Sequence, residues 1–286
     1  MDQQRPSRTA IRTAVQRAAH LLLDDDPKIL ADPFARAFAG YASDTEMLDA
    51  LDPTQLLDSP RLRTLFALRN RYAEDELVQA IARGIDGYVI LGAGLDSFAY
   101  RRPDLMASLD MFEVDHPASQ AWKRARVAEL GTPVPARLHH VAIDFERTTL
   151  AEGLAENAVD RRRHMLVSML GVAQYLTKGA LASTLRDVAA TTAPGSEMVM
   201  QYVVPLATFA GDEATLVKGL AARASTSQEP WLSFYEPAEM ERVLVDAGFG
   251  DIVHFGTEEA SERYLRSRTD GLRLPAYFQM IKARTI

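Results

Sequence analysis

Two glycines and an aspartate in the first half of the chain have the types and spacing of a nucleoside-binding site. The turn Gly92-Ala93-Gly94 directly follows a short apolar run, and Asp115 ends the next one. A glycine turn after a strand lets the backbone approach a ligand closely, and an acid after the second strand can accept hydrogen bonds from ribose hydroxyls. The pattern predicts a cofactor that contains a nucleoside and leaves open which nucleoside it is.

The elements that must position these residues follow from an alternation of strand-like and helix-like segments after residue 86. Apolar runs predict strands at residues 88–91, 111–114, 138–143, 165–169, 198–204, 252–255 and 277–282. Helices are predicted from Leu95, from Pro117, over 178–191 and from Pro237. Strands separated by helices form a mostly parallel sheet covered on both faces, so an α/β fold is predicted.

The carboxyl ends of the parallel strands are predicted to meet at one edge of the sheet, because the crossovers between them are right-handed. The glycine turn, Asp115, Asp144 and residues 169–171 each follow such a strand end. In open α/β sheets, ligands bind at this edge. The strand ends are therefore expected to converge on one crevice that forms the functional site.

The regions outside this alternation are predicted to cover the site. Residues 9–23 and 60–83 carry apolar side chains at helical spacing, so residues 1–85 are expected to form a helical lid over the cofactor. Residues 86–286 are expected to form the catalytic domain, with an irregular insertion at 205–235 that supplies walls for the substrate.

Composition narrows the classes of function. The 286 residues carry a formal net charge of -7 and no cysteine, which excludes a thiolate nucleophile, a disulfide and a cysteine-based zinc site; no metal site is predicted. The acidic balance argues against nucleic acid as a partner. No apolar run is long enough to span a membrane and no secretion signal is evident, so no membrane partner is expected and the cytoplasm is the expected location.

Three features distinguish between nucleoside cofactors. Ser97 stands at the third position of the dinucleotide pattern G-x-G-x-x-G/A, which is therefore incomplete. Asp144, after the third predicted strand, is suited to an adenine amino group. The two closing strands fit the seven-stranded sheet of methyltransferases. S-adenosyl-L-methionine is thus the favoured cofactor, and a nicotinamide-dependent reductase remains the alternative.

The segment LGAGLDSFAYR at residues 91–101 closely resembles the LGAGLDTRAYR signature of the leucine carboxyl methyltransferase-like family. Segments 112–117, 141–145 and 171–177 resemble further blocks of this family, in matching order and spacing. The resemblance runs from about residue 9 to the end. It implies a Rossmann-like, seven-stranded, mostly parallel sheet and the activity of a class I S-adenosyl-L-methionine-dependent O-methyltransferase.

The resemblance also implies roles for single residues. The turn residues 92–94 would line the methionine and ribose parts of the cofactor, and Asp115 would bind the ribose hydroxyls. Asp144 and Phe145 would hold the adenine. Arg69 would bind the cofactor carboxylate, a task to which a forked guanidinium is suited.

The neighbours of these positions complete the predicted site. His116, beside the ribose acid, and Met169, at the end of the fourth strand, belong to the predicted cofactor-binding set. Gln174 and Tyr175 lie beside the expected methyl group, so they are the predicted catalytic residues. Leu170 stands where phosphatase-directed members of the family carry a glutamate, which argues against a protein terminus as the acceptor and favours a small molecule.

Methyl transfer from a sulfonium is an in-line displacement, in which the protein mainly aligns and desolvates the reactants. A carboxylate acceptor needs no base, whereas a hydroxyl or phenol is helped by one. The expected function is O-methylation of a carboxylate or hydroxyl of a small molecule in specialised metabolism, such as that of polyketide-like or peptide natural products. A catalytically inactive, methyltransferase-like binding protein is a second alternative, and the sequence leaves the acceptor and the oligomeric state open.

Overall fold

The computed structural model describes residues 6–50, 60–143, 148–157, 159–160, 162–226 and 229–286. These residues form a central sheet of seven strands in the order β3-β2-β1-β4-β5-β7-β6. The strands are β1 Gly87–Leu91, β2 Asp110–Asp115, β3 Leu138–Ala142, β4 Met165–Met169, β5 Glu197–Tyr202, β6 Phe249–Gly256 and β7 Gln279–Thr285. Neighbouring strands from β3 to β5 are parallel, and β7 is antiparallel to both β5 and β6. The predicted α/β class and the Rossmann-like, mostly parallel seven-stranded sheet are confirmed.

Alternate residues of the central strands point into two cores. On β1, Tyr88 and Ile90 pack in the core that includes α1 and α4, whereas Val89 and Leu91 pack in the other core. All residues of β1 are buried, because helices cover both faces of the sheet. Strands in this position are continuously apolar, and this is why the strand positions could be predicted closely from short apolar runs.

The helices precede the sheet or alternate with its strands. Their bounds are α1 Arg8–Leu23, α2 Ala35–Phe38, α3 Asp44–Asp49, α4 Pro60–Ala82, α5 Phe98–Arg101, α6 Pro103–Met106, α7 Pro117–Glu129, α8 Leu150–Glu156, α9 Lys178–Thr191, α10 Gly211–Thr226, α11 Pro237–Asp246 and α12 Thr257–Tyr264. Within the described ranges, no helix is both long and apolar enough to cross a membrane.

The helix predicted from Leu95 is wrong. After the glycine turn the chain forms two short helices, α5 and α6, with a break at Arg102. Arg102 has φ -119° and ψ 58°, outside the helical region. The cause is Pro103, whose ring disfavours a helical backbone in the residue before it.

The prediction of an irregular segment at 205–235 is also wrong over half of its length. Helix α10 occupies much of it and buries Leu216, Leu220 and Ala224 at intervals of about one helical turn. Glycine and proline residues on both sides of the helix concealed this periodicity in the sequence. Helix α12, between β6 and β7, was not predicted.

A network of buried ion pairs and hydrogen bonds joins the N-terminal helices to the turn after β1. Arg17 of α1 donates to Asp32 (Nε–Oδ2 2.8 Å) and to the carbonyl oxygen of Leu95 (Nη2–O 2.6 Å). Arg101 of α5 lies 3.7 Å from Asp32 and donates to Glu74 of α4 at 2.6 Å. The four charged side chains are almost fully buried. The network therefore holds α1 and α4 in a fixed position relative to the glycine turn.

Replacing Asp32 by asparagine is expected to lower the free energy of unfolding by about 3–5 kcal/mol, because removal of one member of a buried ion pair leaves its partners uncompensated. Equilibrium urea denaturation measures this change. Asp104→Asn is the matched control: Asp104 pairs with Arg102 at 2.7 Å but is 59% exposed, so a loss of about 0–1 kcal/mol is expected. Similar losses for the two variants would contradict a stabilising role of the buried network.

Candidate active site

A cavity of about 540 Å³ opens at the carboxyl ends of the central parallel strands. Its walls include the glycine turn after β1, the end of β2, residues 170–172 after β4, and parts of α1 and α4. Between β1 and β4 the strand order changes direction, and open α/β sheets bind ligands at such a point. The cavity thus lies where the predicted strand ends converge.

The shape of the glycine turn depends on two left-handed backbone conformations. Gly92 has φ 70° and Gly94 has φ 49°, which side chains other than glycine rarely tolerate. The N–H groups of Gly92 and Ala93 donate to the carbonyl oxygen of Val114 at 2.8 and 3.1 Å, so the turn is docked on β2. A Cβ on Gly92 would overlap the side chain of Val172. This close packing leaves no space for a side chain at Gly92, and all three residues of the turn line the cavity.

Asp115 ends β2 with its carboxylate held against the glycine turn. Its Oδ2 accepts a hydrogen bond from the N–H of Gly94, and its Oδ1 accepts one from the N–H of His116 at 2.6 Å. Burial raises the pKa of Asp115, while these two N–H groups and the charge of Lys123 oppose the shift. Each carboxylate oxygen keeps further acceptor capacity, so Asp115 can accept hydrogen bonds from two neighbouring hydroxyls of a ligand.

Arg69 of α4 brings a buried positive charge to the cavity wall. Its Nη1 donates to Gln201 Oε1 at 3.0 Å, its guanidinium lies over the ring of Phe66, and its Nε has no hydrogen-bond partner among the described residues. Burial, with a contribution from Arg17, lowers the pKa of Arg69 to about 10, so the group is still protonated near neutral pH. A buried cationic donor with a free N–H is suited to bind a carboxylate.

A smaller space of about 50 Å³, the side chamber, adjoins the cavity. Arg69, Gly171 and Tyr175 line both spaces and form the boundary between them. Gln174 Oε1 and Trp231 Nε1 are buried beside the side chamber and lack hydrogen-bond partners within the described ranges. Its other walls are mainly aliphatic and aromatic. An apolar pocket with a few free polar groups is typical of small-molecule sites.

Helix α1 covers one side of both spaces. Thr9 and Thr13 line the cavity and the side chamber alike. The Thr9 hydroxyl donates to Glu229, and the Tyr175 hydroxyl donates to Thr9 Oγ1 at 3.4 Å. Helix α1 therefore lies where a lid over the cofactor is expected, and the assignment of residues 1–85 as a helical lid stays a prediction.

Most of the predicted site residues come together in the structure. Those that line the cavity are Arg69, Gly92, Ala93, Gly94, Asp115, His116 and Tyr175. Gln174 lines the side chamber instead. His116 also caps α7, where its Nδ1 accepts from the N–H of Ala118 at 3.2 Å. Asp144 and Phe145 lie outside the described residues, so their contacts with adenine stay predictions.

Met169 requires a correction, because its side chain is not part of the cavity wall. It is fully buried in the core that also contains Val167 and Leu181. The residues that reach the cavity after β4 are Leu170 and Gly171. Since successive residues of a strand point to opposite faces, the end of a strand can lie at a site while its last side chain packs elsewhere.

Sequence reasoning missed several polar residues of the site, among them Asn70, Asp96 and Arg12. Asn70 and Asp96 line the cavity, and Arg12 lines the side chamber. Asp96 lies just after the glycine turn and Asn70 follows Arg69, so their positions along the chain could have indicated both. No sequence pattern indicates Arg12, because only the packing of α1 on the other elements brings it to the side chamber.

Solved structures of similar architecture identify the fold. A DUF574 family protein from Streptomyces avermitilis aligns over 98% of this chain and 98% of its own, with a TM-score of 0.62 and 14% identity. A proposed methyltransferase from Thermobifida fusca aligns over 99% of this chain and 96% of its own, with a TM-score of 0.59 and 19% identity. The fold is that of class I S-adenosyl-L-methionine-dependent methyltransferases.

Sequence comparison defines the family. Residues 10–189 match the profile of the leucine carboxyl methyltransferase family, and the chain belongs to this family. YktD of Bacillus subtilis (strain 168), a proposed S-adenosyl-L-methionine-dependent methyltransferase, is 32% identical over 204 residues, which cover 71% of this chain and 67% of YktD. A proposed methyltransferase of the same kind from Mycobacterium avium (strain 104) is 28% identical over 261 residues, 90% of this chain and 80% of its own.

The protein is therefore a methyltransferase with S-adenosyl-L-methionine as its cofactor, and the residues of the cavity fit this group. The glycine turn lines the cavity, and Asp115 has free acceptor capacity for the ribose hydroxyls. The unpartnered Nε of Arg69 is suited to the cofactor carboxylate. The cofactor supplies the electrophilic methyl group, so the protein has to bind, orient and desolvate the reactants.

Gly171→Ala tests the assignment of Arg69. Gly171 has φ +71°, and a Cβ there would lie 2.5 Å from Arg69 Nη1, so the variant should displace the guanidinium. We expect affinity for S-adenosylhomocysteine, measured by titration calorimetry, to fall about tenfold. Gly195→Ala is the matched control, since Gly195 has φ +88° but open space around its Cβ. If both variants bind the ligand equally well, Arg69 does not contribute to cofactor binding.

The affinity for S-adenosylhomocysteine is expected to fall as the pH decreases, with Asp115 as the titrating group. Only the ionised carboxylate presents all of its acceptor positions to the ribose hydroxyls. Because burial raises the pKa of Asp115, protonation and loss of affinity begin at a higher pH than for an exposed aspartate. Calorimetric titrations between about pH 4 and 8 measure this dependence, and Asp115→Asn should remove it. A pH profile shared by both proteins would assign the titration to another group.

Proposed function

We propose that this methyltransferase transfers the methyl group of its cofactor to an oxygen atom of a small molecule. A carboxylate is the favoured acceptor, and a hydroxyl is the second candidate. The observation that carries the proposal is the side chamber, which shares Arg69, Gly171 and Tyr175 with the cofactor cavity. An acceptor must lie in line with the sulfonium. A pocket that adjoins the cofactor cavity is the place where such alignment can be achieved.

The charges around the side chamber favour an anion. Arg12 and Arg69 both line it, and within the described part of the chain neither forms an ion pair with a carboxylate. Burial lowers the pKa of Arg12 because it desolvates the charged guanidinium. An anionic ligand would stabilise this charged form. The unpartnered N–H of Trp231 is a further donor. A carboxylate would provide the negative charge and the hydrogen-bond acceptors that the two arginines and the Trp231 N–H need as partners.

The side chamber has no evident general base. Among the described residues that line it there is no histidine, aspartate or glutamate. Tyr277 is present, but burial raises the pKa of its phenol, so it does not act as a base near neutral pH. A carboxylate is already ionised and needs no base, in contrast to a hydroxyl. In this proposal, Gln174 and Tyr175 position the acceptor rather than remove a proton.

Two features support a small acceptor. The side chamber has a volume of about 50 Å³ and admits only a compact group beyond the cavity. Leu170 gives the adjoining wall an apolar side chain, whereas phosphatase-directed members of the family carry a glutamate at this position. We extend the proposal to an acceptor from specialised metabolism, with neither nucleic acid nor a membrane as a partner.

A comparison of matched acceptors tests the reaction. S-adenosyl-L-methionine is supplied with aryl and alkyl carboxylic acids and, separately, with the corresponding alcohols and phenols. Mass spectrometry identifies methylated products, and release of S-adenosylhomocysteine gives the rate. We expect methyl esters from the acids. Turnover of alcohols or phenols alone would replace the first candidate by the second, and cofactor binding without turnover of any acceptor would favour an inactive binding protein.

Arg12→Met is expected to raise the KM for a carboxylic acid about tenfold, or about 1.4 kcal/mol, because it removes a cation from the acceptor pocket. Its affinity for S-adenosylhomocysteine should stay unchanged, since Arg12 lines the side chamber and not the cavity. Arg8→Met removes the same charge from an exposed position on α1 and serves as the control. Equal KM values for the two variants would contradict the binding of an anion by Arg12.

A further inference from the structure

Asn70 follows Arg69 on α4 and lines the same cavity. The residue is only 5% exposed. Its Nδ2 donates to Asp96 Oδ2 at 2.7 Å, whereas its Oδ1 has no hydrogen-bond partner among the described residues. Buried polar atoms in proteins are normally hydrogen-bonded, and an exception requires an explanation. A donor group on a ligand in the cavity would satisfy this amide oxygen.

Asp96 lies next to this amide and also lines the cavity. Its Oδ1 accepts from the N–H of Phe98 at 2.7 Å, and its Oδ2 accepts from Asn70. In the part of the chain that the structure describes, Asp96 forms no ion pair with a lysine or arginine. The carboxylate therefore adds negative charge beside a free acceptor atom. A cationic donor is the ligand group that fits this pair.

Arg69 contributes the opposite charge to the same wall. Its Nε is buried without a partner in the described ranges, one residue along α4 from the amide of Asn70. The wall thus offers a cationic donor beside two acceptors, of which one is anionic. This arrangement is complementary to a zwitterion that carries a carboxylate and an ammonium group on one carbon atom. Leu170, another residue of the cavity wall, has no polar side chain to bind either group.

We propose that Asn70 and Asp96 bind the α-ammonium group of S-adenosyl-L-methionine while Arg69 binds its α-carboxylate. Asn70 accepts one ammonium N–H through Oδ1, and Asp96 accepts another and supplies the compensating charge. This is a binding step in which no covalent bond changes. The proposal rests on the cofactor assignment and is independent of the identity of the methyl acceptor.

A purely structural role of the two residues is the competing explanation. The hydrogen bond between Asn70 and Asp96 joins α4 to the segment after the glycine turn. Its loss could disturb the turn and weaken the binding of every adenosine ligand to the same extent. Ligands that differ only in the amino-acid end separate this explanation from the proposal.

The test is a calorimetric titration of the full chain with S-adenosylhomocysteine, with its analogue that lacks the α-amino group, and with 5′-methylthioadenosine. For Asp96→Asn we expect the affinity for S-adenosylhomocysteine to fall about tenfold, which corresponds to about 1.4 kcal/mol. The affinities for the two ligands without the amino group are expected to remain at the wild-type level. Asn70→Ala should show the same selectivity. Asp104→Asn, which removes an exposed carboxylate, should leave all affinities unchanged.

Two results with Asp96→Asn would overturn the proposal. Equal losses for all ligands would assign Asp96 a structural role, and an unchanged affinity for S-adenosylhomocysteine would show that its charge is not used. If the wild-type protein binds none of the ligands, the cofactor assignment itself fails, and the proposal fails with it. This last result is distinguishable from the others because it appears before any substitution is made.

Discussion

The hydrogen bonds between the glycine turn and the end of β2 are the contact on which the site depends. The N–H groups of Gly92 and Ala93 bind the carbonyl oxygen of Val114, and the N–H of Gly94 binds the carboxylate of Asp115. Both glycines of this turn have positive φ angles, which residues with side chains rarely adopt. This turn therefore positions both the main chain that lines the cavity and the carboxylate of Asp115. The other parts of the site are arranged around this pair of strand ends.

Buried charge is used in two different ways around this centre. Arg17, Asp32, Glu74 and Arg101 compensate one another and join α1 and α4 to the turn. Within the described residues, Arg69 and Arg12 have no such carboxylate partners, although both line binding spaces. Desolvation of a cation without an ion-pair partner is unfavourable in the free protein. In our proposal, an anionic ligand group offsets this cost when it binds, so Arg69 and Arg12, and not the compensated network, select ligands.

Much of the fold could be predicted from the sequence, because buried parallel strands are continuous apolar runs bounded by turn residues. The strand at Met165–Met169 and the helix at Lys178–Thr191 were predicted with their observed bounds. The errors have local causes. Pro103 divides the helix after the glycine turn, and glycines and prolines around α10 conceal its helical spacing. The pairing of β7 between β5 and β6 depends on contacts between distant segments, and no local pattern specifies it.

The sequence by itself determined the glycine turn and Asp115, since a glycine turn after a strand and an acid after the next strand are short-range features with strict requirements for residue type. Tertiary structure alone decided the rest. It turned Met169 into the core, placed Asn70 and Asp96 on one wall of the cavity, and brought Arg12 of α1 to the side chamber. These residues come from elements far apart in the chain, and their roles follow from helix orientation and packing. Local sequence patterns constrain backbone conformation, but only the packed structure determines which side chains meet.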